Sequence, residues 1–191
     1  MNVNEVVATL ASRVSDLTIN PNDHVNFGQS SNDVIPTAIH VSAVTAVSRD
    51  LLPAIDELIF AISLKSDALR GVCKTGRTHL MDAMPVRMDQ ILEGWAAQLE
   101  NAKALISSTV AHLQYVALGG TAVGTGINTH RDFSAASTQI LSTNMGLEFF
   151  PAREHFSLIG AQDSAVALSG QLKALAVALL KISNDLRWMN S

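Results

Sequence analysis

An all-α fold of long helices, closing into a bundle with further copies of itself, is what this 191-residue sequence predicts. Apolar residues recur every three or four positions through most of the chain, the spacing of one helical face. Hydrophobic residues make up 48% of the composition and aromatic ones only 5%, which suits helices packed through small side chains better than a β-sandwich. The segment from Ala165 to Ile182 is apolar on nearly every face, and such a helix has to be surrounded. A chain of this size is too small to surround it alone. Oligomerisation through a helix bundle is therefore expected, with residues 1–191 forming a single helical domain.

Taken in order, Val3, Val6, Val7, Leu10 and Val14 predict a first helix from Asn2 to about Asp16. Thr18 to Asp33 breaks the pattern with Asn20-Pro21-Asn22-Asp23 and Gly28, a long polar loop. Asp33 is placed to cap the next helix, with Pro36 in its first turn, where a missing N–H costs little. That helix runs toward Asp50, and Pro53 either kinks it or starts another that reaches about Leu69. Gly71 to Met84 is a second polar interruption, and Pro85 opens a further helix. Its face is marked by Ile91, Leu92, Trp95, Leu99, Ala102, Leu105 and Ile106, and it reaches about Leu118. A glycine-rich stretch follows, then a shorter helix over roughly His130 to Asn144 and a loop around Pro151. The last helix covers about Asp163 to Met189. Strand signal is slight, and there are no repeats and no domain linker.

Composition narrows the function. A net charge of −4 with scattered Lys and Arg gives no electrostatic footprint for nucleic acid, while leaving room for a small anion held by local donors. The lone Cys73, beside Val72, excludes a disulfide framework and a multi-cysteine metal site, and a buried, inert thiol is expected. The six histidines show no His-Glu-x-x-His spacing, so no metal is expected. Gln171, Lys173 and Lys181 interrupt the last helix, which therefore reads as a core helix and not a membrane span. With no basic-then-apolar leader pattern at the N-terminus, a cytoplasmic location is expected.

Three polar boxes stand between the helical segments: Gly28-Gln29-Ser30-Ser31-Asn32-Asp33, Gly76-Arg77-Thr78-His79-Leu80-Met81-Asp82, and the run from Gly119 to Asn128. Polar loops on a rigid scaffold are where sites usually lie. Ser30, Ser31, Asn32 and Asp33 sit at a helix N-terminus, where unpaired N–H groups and the helix dipole favour an anion. The same residues are also ordinary capping residues. His79 suits proton transfer or the holding of a water, and equally a structural role. Arg77 could hold a substrate anion or tie the loop down through Asp82. The glycine-rich box lacks the Lys-Ser/Thr ending of a phosphate loop. It suits a close backbone approach to a ligand or helix, or a plain helix-to-helix connection.

Together and in this order, the boxes resemble the central region of the fumarase/aspartase superfamily, and most nearly class II fumarate hydratase. Asn22-Asp23-His24-Val25-Asn26 leading into Gln29–Asp33, then Gly76–Leu80, then Gly119–Gly126, and finally Lys181–Trp188 carry the resemblance. Aspartate ammonia-lyases usually read Ser-Thr-Asn-Asp where this chain has Ser30-Ser31-Asn32-Asp33, and commonly Gln at His79. Those details favour fumarase over aspartase. The other alternative is a non-catalytic helical oligomer, or a subunit needing a partner chain. The resemblance implies an all-α homotetramer that hydrates fumarate reversibly to (S)-malate, with a dicarboxylate substrate, no cofactor, no metal, and no nucleic acid or membrane. It implies that Ser30, Ser31 and Asn32 bind a substrate carboxylate. Thr78 and His79, from another subunit, would hold substrate and water, with His79 the proton-handling residue. Asn22 and Asp23 match part of a secondary carboxylate site, where fumarases often have His in place of Asn20. The family's Ser-Gly-Thr loop falls before Met1 and its Gly-Ser-Ser-x-Met-Pro-x-Lys-x-Asn-Pro signature beyond Ser191. These residues alone are therefore expected to be weakly active or inactive.

Overall fold

The computed structural model describes residues 2–190. In chain order it shows α1 (Asn2–Val14), a π-helical turn (Pro21–Val25), α2 (Ser31–Ala46), a second π-helical turn (Val47–Leu51) and α3 (Leu52–Ala68). A hairpin of β1 (Cys73–Thr78) and β2 (Met81–Arg87) follows, then α4 (Met88–Leu113) and β3 (Tyr115–Val116). The chain closes with α5 (Phe133–Met145), β4 (Phe150–Pro151), α6 (Phe156–Gly160) and α7 (Asp163–Met189). The fold is all-α in class, with short strand pairs set between the helices. It divides into two compact units, Met1–Ala43 with Leu113–Asp163, and Val44–His112 with Ser164–Ser191.

The second unit is built on α4. Leu92, Trp95, Leu99, Ala102, Ile106 and Val110 are buried along it at three- and four-residue steps, the seam of a helix packed lengthwise on its neighbours. Ile91 and Leu105, which the sequence also assigned to this face, lie at its edge, Leu105 being exposed. Ile55 and Ile62 on α3, and Leu168, Leu175 and Ile182 on α7, are buried at seven-residue intervals. Polar contacts fix the directions: Lys103 pairs with Asp56, while Ser66 Oγ donates to the Asp89 carbonyl at 3.3 Å. Helices α3 and α4 therefore run antiparallel. Trp95 Nε1 donates to Asp185 Oδ2 on α7 at 3.1 Å, and Lys181 lies over the indole ring, 5.8 Å from its centroid.

Helix α7 carries the uncovered apolar surface expected of a chain too small to surround it. Only Leu168, Leu175 and Ile182 are buried, while Val166, Val177 and Leu180 are 70%, 60% and 61% exposed, so this chain covers a single stripe of it. The helix is long and apolar enough to cross a membrane by length and composition, with a mean hydropathy of 1.6 over its best window.

Prolines account for two differences from the sequence expectation. Pro53 cannot donate to the carbonyl four residues back. The backbone widens into the π turn Val47–Leu51 just before it and continues as helix, with both flanking residues, Ala46 and Leu52, in right-handed helical geometry. The break is thus neither a sharp kink nor a fresh start. Pro85 does not open α4. It pairs with Thr75 in the hairpin, where a two-stranded ribbon tolerates a missing donor at its edge. Helix α4 starts at Met88 because Gln90 Oε1 accepts the Arg87 N–H at 3.1 Å, a reach-back that closes the helix start. Cys73, expected to be buried, is exposed at the start of β1, since among the described residues no further layer covers it.

Arg87 also grips Asp89, its Nε 3.0 and 3.1 Å from the two carboxylate oxygens. That hydrogen bonding, together with the guanidinium charge and local backbone N–H groups, holds the Asp89 carboxyl below its ordinary range against the opposing effect of burial. A carboxyl lowered in the folded state contributes stability that is full above its unfolded value and is lost as pH falls through the folded one. Urea melts of wild type and Asp89→Asn should therefore differ most at neutral pH and converge below the usual Asp value of about 3.9. A pH-independent difference would count against the pair. Leu99 is 0% exposed, and Leu99→Ala should lower unfolding free energy by about 2–5 kcal/mol in the same melts.

Candidate functional site

Helix α2 begins where the first polar box ends. Ser30 is its cap: its Oγ accepts the Asn32 N–H at 3.2 Å, and its carbonyl accepts the Val34 N–H at 3.0 Å. The Ser30 N–H in turn donates to Asp33 Oδ1 at 3.0 Å. This reciprocal pair is a capping box with an aspartate as its acidic member. The sequence placed Asp33 at the cap; it sits three residues further in, because Ser30 already supplies the capping oxygen. Pro36 consequently lies inside α2 and not in its first turn, and it cannot donate to the Asn32 carbonyl.

Asp33 is fully buried, and its other oxygen reaches the third box. Oδ2 accepts the Gly119 N–H at 3.1 Å and the Thr121 N–H at 2.8 Å. Asn32 Nδ2 donates to the Ala122 carbonyl at 2.7 Å. Boxes almost ninety residues apart in sequence thus meet at one helix N-terminus. This decides the reading of the glycine-rich box, which is a close backbone approach. A Cβ at Gly119 would lie 2.6 Å from the Ser134 Cβ, and one at Gly120 would lie 2.7 Å from the His155 Cβ. Thr121 carries φ +57°, a left-handed conformation that a β-branched residue adopts only under constraint. Its hydroxyl is buried with no hydrogen-bond partner among the described residues.

Ser30, Ser31 and Asn32 are therefore brought together as the sequence expected, Ser31 and Asn32 on the solvent side and Ser30 partly covered. One Asn32 amide hydrogen is committed to Ala122, which orients the group and leaves the second hydrogen and the oxygen for a ligand. Asn22 and Asp23 are exposed on the π turn of the same unit. Asn20 Oδ1 accepts their backbone N–H groups at 2.8 and 3.1 Å, and the Asn20 N–H donates to His24 Nδ1 at 2.9 Å. The amide oxygen of Asn20 thus stands where a carboxylate oxygen would have to bind those N–H groups. Sequence reasoning saw the departure at Asn20 but not this self-capping, which an Asn directly before a Pro at a helix start announces.

Thr78 and His79 belong to the other unit, on the β1–β2 hairpin. The polar box that the sequence placed in a loop is the end of this ribbon, with Thr78 paired to Met81. The two residues between them, His79 (φ +51°) and Leu80 (φ +61°), are both left-handed. Two-residue hairpin turns of that geometry favour Asn-Gly, which is why the sequence did not signal a hairpin here. Gly76 marks the irregularity in the ribbon's register; a Cβ there would meet the Met84 carbonyl at 2.6 Å. Arg77 pairs with Asp82 across the ribbon at 3.5 Å, both exposed, the tie that was one of its two readings. Among the described residues, no group of three or more His, Cys, Asp or Glu could hold a metal ion.

The family model that matches is described as Lyase, and it spans residues 1–191. The chain belongs to this lyase family. A curated lyase relative from Pseudomonas aeruginosa, "Fumarate hydratase class II 2", is 58% identical over the whole of this chain and 42% of its own length. A crystal structure of recombinant class II fumarase from Schistosoma mansoni superposes with a TM-score of 0.91 at 37% identity, over 96% of this chain and 43% of that one. A fumarate lyase:delta crystallin from Brucella melitensis, bound to cobalt, gives 0.95 at 36% identity over 100% of this chain and 43% of that one. The chain spans about two fifths of the length of the curated relatives it matches. The resemblance read from the boxes is thereby borne out, and so is the helical fold class.

The turn at His79 and Leu80 yields a direct test. Leu80 is 98% exposed, so Leu80→Gly removes backbone strain while losing little packing within this chain. It should raise stability by about 1 kcal/mol, read as a higher urea midpoint. An unchanged or lower midpoint would mean that the left-handed leucine is not strained.

Proposed function

We propose that this chain supplies the carboxylate-binding and water-handling parts of a class II fumarate hydratase. The reaction adds water across the double bond of fumarate: hydroxide goes to one alkene carbon, a proton to the other, and (S)-malate forms. The observation that carries this reading is the N-terminus of α2. There Ser30, Ser31 and Asn32 stand at the positive end of a 16-residue helix, while the glycine-rich box is hydrogen-bonded behind them. Exposed hydroxyl and amide groups beside helix N–H groups suit one end of a small dicarboxylate.

In the malate-to-fumarate direction, loss of the proton beside a carboxylate builds extra negative charge on that carboxylate. Donors fixed in advance around its oxygens stabilise the transition state more than the ground state. Ser31 and Asn32 serve in that role. Thr78 and His79 hold the water that adds or leaves, and His79 passes its proton. Strain at the His79–Leu80 turn supports a working position there, since strained backbone that persists marks functional sites. Asn22 and Asp23 form a weaker, outer carboxylate contact, reached only when the Asn20 side chain releases their N–H groups. Further copies of the chain, in a tetramer, cover the apolar side of α7 that this chain leaves open. No organic cofactor or metal takes part in this reading, and the enzyme works in the cytoplasm.

A chimera tests the assignment. Residues 1–191 replace the matching 42% of the Pseudomonas aeruginosa relative, and fumarate–malate interconversion is assayed beside L-aspartate deamination. The chimera should turn over malate and not L-aspartate, and His79→Asn should lower kcat roughly 100-fold or more. Preference for L-aspartate would make the protein an ammonia-lyase. Unchanged kcat in the His79 variant would remove its role in proton transfer.

A further inference from the structure

Resting on the fumarate hydratase reading, we propose that Asp33 is a positioning residue. Its buried carboxylate clasps the turn at Gly119–Thr121 to the start of α2, and so fixes where Ser31 and Asn32 present their donors to the substrate carboxylate.

The clasp needs a carboxylate. Asp33 takes the Ser30 N–H on one oxygen and the Gly119 and Thr121 N–H groups on the other. An ionised carboxylate is acceptor-only on both oxygens, so one side chain serves donors on two segments at once. An amide of the same shape can satisfy one side and turns its NH2 toward the donors of the other. The held segment is under tension. Thr121 sits at φ +57°, and such strain persists only where neighbours over-determine it. Its N–H bond to Asp33, at 2.8 Å, is the shortest of the three. Gly119 packs closely on Ser134, whose Cβ would lie 2.6 Å from a Cβ added there. The turn then places the Ala122 carbonyl, and that carbonyl holds the Asn32 side chain. Asp33 therefore acts on Asn32 from two directions: through the capping box at the helix start, and through the glycine-rich turn.

Charge and position predict opposite results. Asp33 is a negative group within one helical turn of a proposed anion site, and by charge alone its removal should tighten dicarboxylate binding. As a clasp, its removal should loosen binding, because the donors lose their orientation.

Two variants, Asp33→Asn and Asp33→Ala, test this in two ways. Amide hydrogen exchange is first measured on the 191-residue chain. Exchange at Ser30, Gly119 and Thr121 should speed up about tenfold or more in the alanine variant. In the asparagine variant it should speed up on at least one side of the clasp, with α4 amides unchanged in both. If the alanine variant does not fold, the asparagine variant decides. Kinetics then follow in the chimera, where Asp33→Asn should raise KM for fumarate and also lower kcat, so that kcat/KM falls about tenfold or more. Unchanged exchange at all three amides would overturn the clasp. Faster exchange with an unchanged or lowered KM would overturn the positioning role and leave a purely structural one. A folded chimera retaining Asp33 but inactive on fumarate would overturn the fumarase reading, and the role of Asp33 with it.

Discussion

One buried carboxylate organises the first unit. Asp33 lies out of solvent, and burying a charge is costly unless hydrogen bonds replace the lost water. Here the backbone N–H groups of Ser30, Gly119 and Thr121 provide them. The glycine-rich box can come this close only because its glycines leave no Cβ against Ser134 and His155. The box and the helix start therefore depend on each other. Without the turn, Asp33 would be a buried charge short of donors, and without Asp33, Thr121 would have less reason to keep its left-handed backbone.

A different constraint governs the second unit. Helix α4 buries a continuous seam, and α3 and α7 bring residues at seven-residue spacing toward the same core. Its polar contacts, Trp95 to Asp185 and Lys103 to Asp56, match the pairing and direction of helices that the buried seam produces. The apolar surface left on α7 exceeds what this chain covers. A further copy offers the same kind of surface in return, which is the ordinary logic of a symmetric assembly.

The hairpin holds its tip in an uncommon backbone conformation. Its ribbon carries Thr78 and His79 at an exposed tip, where a two-residue turn forces both His79 and Leu80 into left-handed backbone. A sequence selected only for turn stability would place Asn-Gly there. Keeping a histidine and a leucine instead costs stability, the kind of cost that the proposed role of His79 would account for.

Much of this was legible in the linear sequence. The bounds of α7, the heptad-like face of α4, the three polar boxes and their order all follow from periodicity and local chemistry, because helix faces and helix starts are set by residues near each other in the chain. The same local signals gave the family resemblance. What they could not give was anything set by distant partners. Ser30 takes the capping place that Asp33 was given, a local matter, but only the fold shows Gly119 and Thr121, from almost ninety residues away, on the second oxygen of Asp33. Pro85 reads as a helix start until Thr75 pairs with it. The buried reading of Cys73 failed because burial depends on whether another layer packs over the ribbon. Local spacing decides which elements form. Which of them meet, and which donors are left for a ligand, depends on contacts between segments whose separation along the chain carries no information about their separation in space.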